Sequence, residues 1–148
     1  MRHSHPARRL VGPRLVGLVL MLLLAGMALP RPGMAGDEGI TRTIERQLDA
    51  FMRDDFAAAF EFASPAIQGL FRTPENFGLM VQTGYPMVWR HASVRYLDLR
   101  EEAGALWQRV EITDAAGRVH LLDYQMVRGA NGWRINGVQV LRAPEAGA

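Results

Sequence analysis

Gly84-Tyr85-Pro86-Met87-Val88-Trp89-Arg90-His91-Ala92-Ser93-Val94-Arg95-Tyr96-Leu97-Asp98-Leu99 is the stretch where the periodicity of the chain changes. Before it, apolar residues recur every three or four positions. After Tyr85-Pro86 they recur every second position, the spacing of a strand whose side chains alternate between two faces. Helices first and an antiparallel meander second make an α+β arrangement.

Upstream, Ile40, Ile44, Leu48, Phe51 and Met52 are separated by Glu45, Arg46, Asp49 and Arg53, which predicts an amphipathic first helix. Asp54-Asp55 offers an N-cap for a second, short helix that turns Phe56, Phe60 and Ala63 inward. Ser64-Pro65 closes it, because the residue before proline avoids helical geometry, and Ser64 is expected to cap the next helical turn. A third turn or two covers residues 66–71. Thr73-Pro74-Glu75 reads as N-cap, first-position proline and early acid, opening a fourth helix that carries Phe77, Met80 and Val81 and stops at Gly84.

Downstream, four strands are expected, with an extra short strand over residues 87–91. The turns fall at Ala103-Gly104, Asp114-Ala115-Ala116-Gly117 and Ala130-Asn131-Gly132. Asp-Ala-Ala-Gly suits a type I turn closed by a left-handed glycine, pairing Asp114 with Arg118. Asn131-Gly132 suits a two-residue type I′ turn, pairing Ala130 with Trp133.

That register puts Val94, Tyr96, Val110, Ile112, Leu122, Met126, Ile135, Gly137 and Leu141 on a core face. Asp98, Gln108, Tyr124 and Gln139 lie side by side on the same face, a polar row that would form a pocket floor. The opposite face mixes Leu97, Leu99, Trp107, Leu121, Val138 and Val140 with Arg95, Arg109, Asp123 and Arg134. Its apolar content predicts a homodimer through Leu99, Trp107 and Leu121.

The leading segment has Arg2, Arg8, Arg9 and Arg14, then an apolar run over residues 15–29, then Gly33-Met34-Ala35. This is the layout of a secretory signal peptide, 1–35, cleaved after Ala35. The apolar run is short of the roughly 20 residues a bilayer span needs and is interrupted by Gly17 and Gly26, so cleavage is preferred over a retained anchor. The expected product is one exported domain, 36–148, periplasmic or secreted.

Of the 17 arginines five precede residue 36, leaving 12 against 15 carboxylates and a net charge of −3. The high whole-chain pI therefore belongs largely to the leading segment, and nucleic acid is not an expected partner. Lysine is absent, which excludes Lys Schiff-base chemistry and, beside abundant arginine and alanine, fits a GC-rich bacterial genome. There is no cysteine, so disulfides, thiol catalysis and Cys-zinc sites are out. His91 and His120 stand apart without a ligand motif, and the glycines sit singly at turns rather than in a phosphate loop, so no metal or cofactor is expected.

Ala63-Ser64-Pro65-Ala66-Ile67-Gln68, Phe77-Gly78-Leu79-Met80-Val81 with Thr83-Gly84-Tyr85-Pro86, and the closing Gly132-Trp133-Arg134-Ile135 with Gly137 resemble a bacterial family known as domain of unknown function 4864. The resemblance implies a cone-shaped nuclear transport factor 2-like fold, shared with polyketide cyclase-like and ketosteroid isomerase-like proteins, with N-terminal helices packed on a curved antiparallel sheet. It implies no activity. The expected role is a non-enzymatic binding or interaction module whose pocket takes a small apolar molecule. One alternative is a cofactor-independent acid-base enzyme with Asp98 as base and Tyr124 as oxyanion donor. The other is a structural envelope protein whose core is filled by side chains.

Overall fold

A computed structural model describes the backbone of residues 32–142 and the side chains of residues 38–142. The basic and apolar parts of the expected signal peptide lie outside the described residues. Five helices come first: α1 (Pro32–Met52), α2 (Phe56–Glu61), α3 (Pro65–Phe71), α4 (Pro74–Gly84) and α5 (Pro86–Trp89). Four strands follow, β1 (His91–Glu102), β2 (Ala105–Asp114), β3 (Val119–Gly129) and β4 (Gly132–Leu141), antiparallel in the order β1-β2-β3-β4. Among the described residues no helix is long and apolar enough to cross a membrane.

The helix starts follow from local chemistry. The carboxylate of Asp55 accepts from Ala58 N at 3.0 Å, Ser64 Oγ from Ile67 N at 3.3 Å and Thr73 Oγ1 from Asn76 N at 3.2 Å, each satisfying an amide that the first helical turn leaves without a partner. The expected strand over residues 87–91 is replaced by α5. Pro86 sits at its first position, where a missing N–H costs nothing, and Val88 N and Trp89 N both bond Tyr85 O.

Ile40, Ile44, Leu48 and Phe51 of α1 are buried against the sheet, as their spacing predicts, whereas Met52 is exposed. Phe77 of α4 gathers the aromatics, with ring centroids 5.3 Å from Phe60, 5.8 Å from Phe71 and 5.9 Å from Phe51. Gly78 beside it allows α2 to come close: a Cβ there would lie 2.6 Å from the Phe56 ring.

The middle hairpin has the expected register. Asp114 N bonds Arg118 O at 2.9 Å, Gly117 takes φ 80°, and Gln108 stands opposite Tyr124. The two outer hairpins are irregular: β1 shifts register at Ala92 and carries a bulge at Leu97-Asp98, and β4 carries one at Asn136. In β1, Glu102 pairs with Ala105 around Ala103-Gly104 as expected and Leu99 stands opposite Gln108, but Tyr96 stands opposite Val110, so Leu97 and Asp98 together face one residue. In the last hairpin Gly129, not Ala130, pairs with its partner across the turn, Gly132, and Asn136 is the extra residue between Ile135 (opposite Met126) and Gly137 (opposite Gln125).

A bulge exchanges the faces of every residue beyond it. Val138 and Val140 therefore stand opposite Tyr124 and Leu122 on the core face, while Gly137, Gln139 and Leu141 turn outward, the reverse of the expected arrangement. Residues 62–64 add a short parallel rung beyond β4: Ala63 bridges Ile135, with Ile135 N bonding Phe62 O at 2.9 Å and Ser64 N bonding Ile135 O at 2.8 Å.

Candidate functional site

The polar row expected across the sheet does not form. Gln108 and Tyr124 are on the core face, opposite each other and buried. Asp98 is exposed at the β1 bulge, close enough to Arg109 on the outer face to act on its charge. Gln139 is exposed opposite Asp123, also on the outer face, because the Asn136 bulge moves it there.

Gln108 has a structural task. At the β1 bulge Gln108 Nε2 donates to Leu97 O at 3.0 Å, and it donates also to Arg109 O at 2.9 Å. The bulge at Asn136 is held in the same way: Ser64 Oγ donates to Asn136 Oδ1 at 2.7 Å, and Asn136 Nδ2 donates to Gln125 Oε1 at 2.9 Å.

Tyr124 alone of the expected row borders a cavity. The space measures about 260 Å³, at the lower edge of the usual range for small-molecule sites. Its floor is Tyr124, Ile135, Gly137 and Val138 of the sheet. Gln47 and Phe51 of α1, Ile67, Leu70 and Phe71 of α3, and Phe77, Met80 and Val81 of α4 make the walls, completed by Ala63, Tyr85 and Val88. Leu70 is 69% exposed and marks the side on which the cavity opens. The α3 and α4 residues and Tyr85 were not anticipated as lining. Their signal was present in the apolar positions flanking the two prolines, but placing those helices over the sheet needs the tertiary structure.

Three lining side chains carry polar atoms. Tyr85 Oη donates to Val138 O at 2.9 Å, and Gln47 Nε2 donates to Ala59 O at 3.1 Å. Tyr124 is fully buried and its hydroxyl has no hydrogen-bond partner, the one such side-chain atom among the described residues. Burial pushes the Tyr124 phenol well above its ordinary range, with smaller contributions from Tyr96 and Tyr85, so it is a neutral donor at any physiological pH. No Asp, Glu or His lines the cavity, so the acid-base pair of Asp98 and Tyr124 is not assembled. Among the described residues no group of three or more metal-ligating side chains comes together.

The outer face differs from its expected form as well. Leu99 packs against the core, leaving Trp107 and Leu121, both half-buried, on the surface expected to dimerise. Between them runs a chain of ion pairs. Arg100 and Arg109 both grip the buried Asp123 carboxylate, at distances from 2.7 to 3.2 Å, and Arg95 pairs with Glu111 at 2.8 Å. Burial works to raise the Asp123 carboxyl, but the two guanidinium hydrogen bonds overcome it and hold the group below its ordinary value.

No curated protein matches this sequence. A family model described as "Domain of unknown function (DUF4864)" matches residues 34–148, which takes in every described strand and all but the first two residues of α1. The chain belongs to that family.

Proposed function

We propose that the protein is an exported, non-enzymatic binding domain of nuclear transport factor 2-like type, and that its ligand is a small, mostly apolar molecule carrying one oxygen that accepts a hydrogen bond from Tyr124. The observation that carries this reading is Tyr124, which lines an apolar cavity and whose buried hydroxyl has no hydrogen-bond partner. A buried hydroxyl left alone costs about 1 to 3 kcal/mol. A water needs two to four polar partners, and the lining side chains other than Tyr124, Gln47 and Tyr85 have none to offer.

The helices-then-sheet order and the two bulges, which bend their strands, support the cone-shaped fold. The lack of a carboxylate or imidazole in the cavity favours binding over acid-base catalysis, and the cavity itself argues against a wholly filled core. Export rests on the basic and apolar character of residues 1–35.

Native mass spectrometry of the full-length gene product, purified from its own host without refolding, tests the binding reading. The expected spectrum holds a second species heavier by one small molecule, lost when Ile67→Trp fills the cavity while the melting temperature holds. A single unliganded mass, alike in wild type and variant, would overturn it.

A further inference from the structure

A second site lies on the other side of the Phe62–Ser64 rung, in a groove of about 420 Å³ between α1 and the β3–β4 hairpin. Four arginines line it: Arg42 and Arg46 from successive turns of α1, Arg128 and Arg134 from the hairpin. The chain after residue 35 is net negative, so this concentration of one sign is not a consequence of composition.

Five arginines elsewhere are paired with acids, whereas Arg53 and Arg72, like three of the four in the groove, form no ion pair among the described side chains. Arg90, Arg95, Arg100, Arg109 and Arg118 each have a carboxylate within 3.2 Å. Arg46, Arg128 and Arg134 form no ion pair among the described side chains, and Arg42 reaches only the exposed Glu38, at 4.0 Å.

Two of the four are held in place by something other than an acid. The Arg128 guanidinium stacks 4.1 Å from the centroid of Trp133, which occupies its face and leaves its in-plane N–H donors free. Arg134 donates to Trp133 O at 2.9 Å. Trp133 is itself seated on α1 where Gly39 makes room, since a Cβ there would lie 3.0 Å from Cδ1. Ordering long side chains before a ligand arrives lowers the entropic cost of binding it.

We propose that this groove binds a phosphate group of two or more negative charges, whose several oxygens suit the forked donors of neighbouring guanidiniums. The proposal does not depend on the cavity at Tyr124. A phosphate of this kind comes either as a free solute or at the surface of an anionic membrane.

The test uses the full chain with two probes, inorganic pyrophosphate by calorimetry and phosphatidylglycerol vesicles by co-sedimentation, at low ionic strength. Expected is binding to at least one probe, weakened tenfold or more in the R46Q/R134Q double variant and unchanged in R53Q, an exposed arginine outside the groove. Binding should also shift Trp133 fluorescence in a W89F/W107F background. Pyrophosphate alone would identify a soluble phosphate ligand, and vesicles alone a lipid headgroup. Failure to bind either probe, or equal weakening in R53Q, would overturn the proposal. Circular dichroism of each variant checks that the substitutions leave the fold intact.

Discussion

Asp123 and Tyr124 are neighbours in β3, both buried, and point to opposite faces of the sheet with opposite outcomes. Asp123 is an anion that nearly every rule would place in water. It is kept from water by two arginines that between them direct four N–H donors at its two oxygens. Tyr124 is neutral and easy to bury, yet its hydroxyl meets nothing. The expensive group is fully satisfied and belongs to the scaffold; the cheap one is left open beside a cavity. A polar group that the fold itself saturates has no hydrogen-bonding capacity to spare, so on the proposed reading it is the unsaturated Tyr124 that a ligand would meet.

The contrast is broken most severely by Asp123→Asn. Removing the anion leaves two guanidiniums against each other under partial burial, and urea unfolding should show a loss of about 3 kcal/mol. A loss below about 1 kcal/mol would mean that the pair is as weak as an ordinary surface bridge.

Gln108→Met probes the same principle on the core face. It leaves Leu97 O at the bulge without its side-chain donor while keeping the volume, for an expected loss of about 1 to 2 kcal/mol in the same assay. Gly78→Ala is expected to cost a similar amount, about 1 to 3 kcal/mol, because the new methyl meets the Phe56 ring and the helix pair must separate.

Acid should act on the hydrogen-bonded carboxylates first. The Asp123 carboxyl is held below its ordinary value of 3.8, and so is that of Asp114, which accepts from His120, Arg118 and the turn amides of Arg118 and Ala116. A carboxylate with a depressed folded pKa contributes stability that is complete above its unfolded value and is lost as pH falls through the folded one. The melting temperature should therefore be insensitive to these two groups above about pH 5 and should fall below about pH 4. Asp123→Asn should flatten part of that fall, and an unchanged acid profile would show that the arginine pair does not hold the carboxylate.

Much of this fold was legible in the chain. The starts of α2, α3 and α4 at Asp55, Ser64-Pro65 and Thr73-Pro74, the turn at Asp114–Gly117 and the burial of Ile40, Ile44, Leu48 and Phe51 all follow from local chemistry that needs no partner. The faces beyond the bulges were not legible. Around Tyr96-Leu97-Asp98-Leu99 the alternation reads equally well with or without an extra residue, and only the ladder to β2 decides it. Asn136-Gly137 was a better clue, since a glycine within a strand often marks a bulge, and reading it so would have turned Gln139 outward and Val138 inward. The 62–64 rung pairs residues about seventy positions apart, with no local signature at all. Of the expected pocket row, Gln108 and Tyr124 fall on the expected face because they sit in the hairpin whose turn type fixes their register. Asp98 was misplaced because it lies within a bulge, and Gln139 because it lies beyond one.

The smallest expected loss of stability is that of Tyr124→Phe, and this variant tests the central claim most directly. Removing a buried hydroxyl that has no partner takes away no stabilising contact and lifts its desolvation cost, so in urea unfolding of the ligand-free proteins Tyr124→Phe should be at least as stable as the wild type and up to about 1 to 3 kcal/mol more stable. Native mass spectrometry of the same two proteins, purified in parallel from the host, should then show the small-molecule adduct on the wild type and at least a tenfold lower occupancy on Tyr124→Phe. Equal occupancy in both, or a loss of stability of about 2 kcal/mol or more with no change in occupancy, would contradict the account and return Tyr124 to the core as a packing residue.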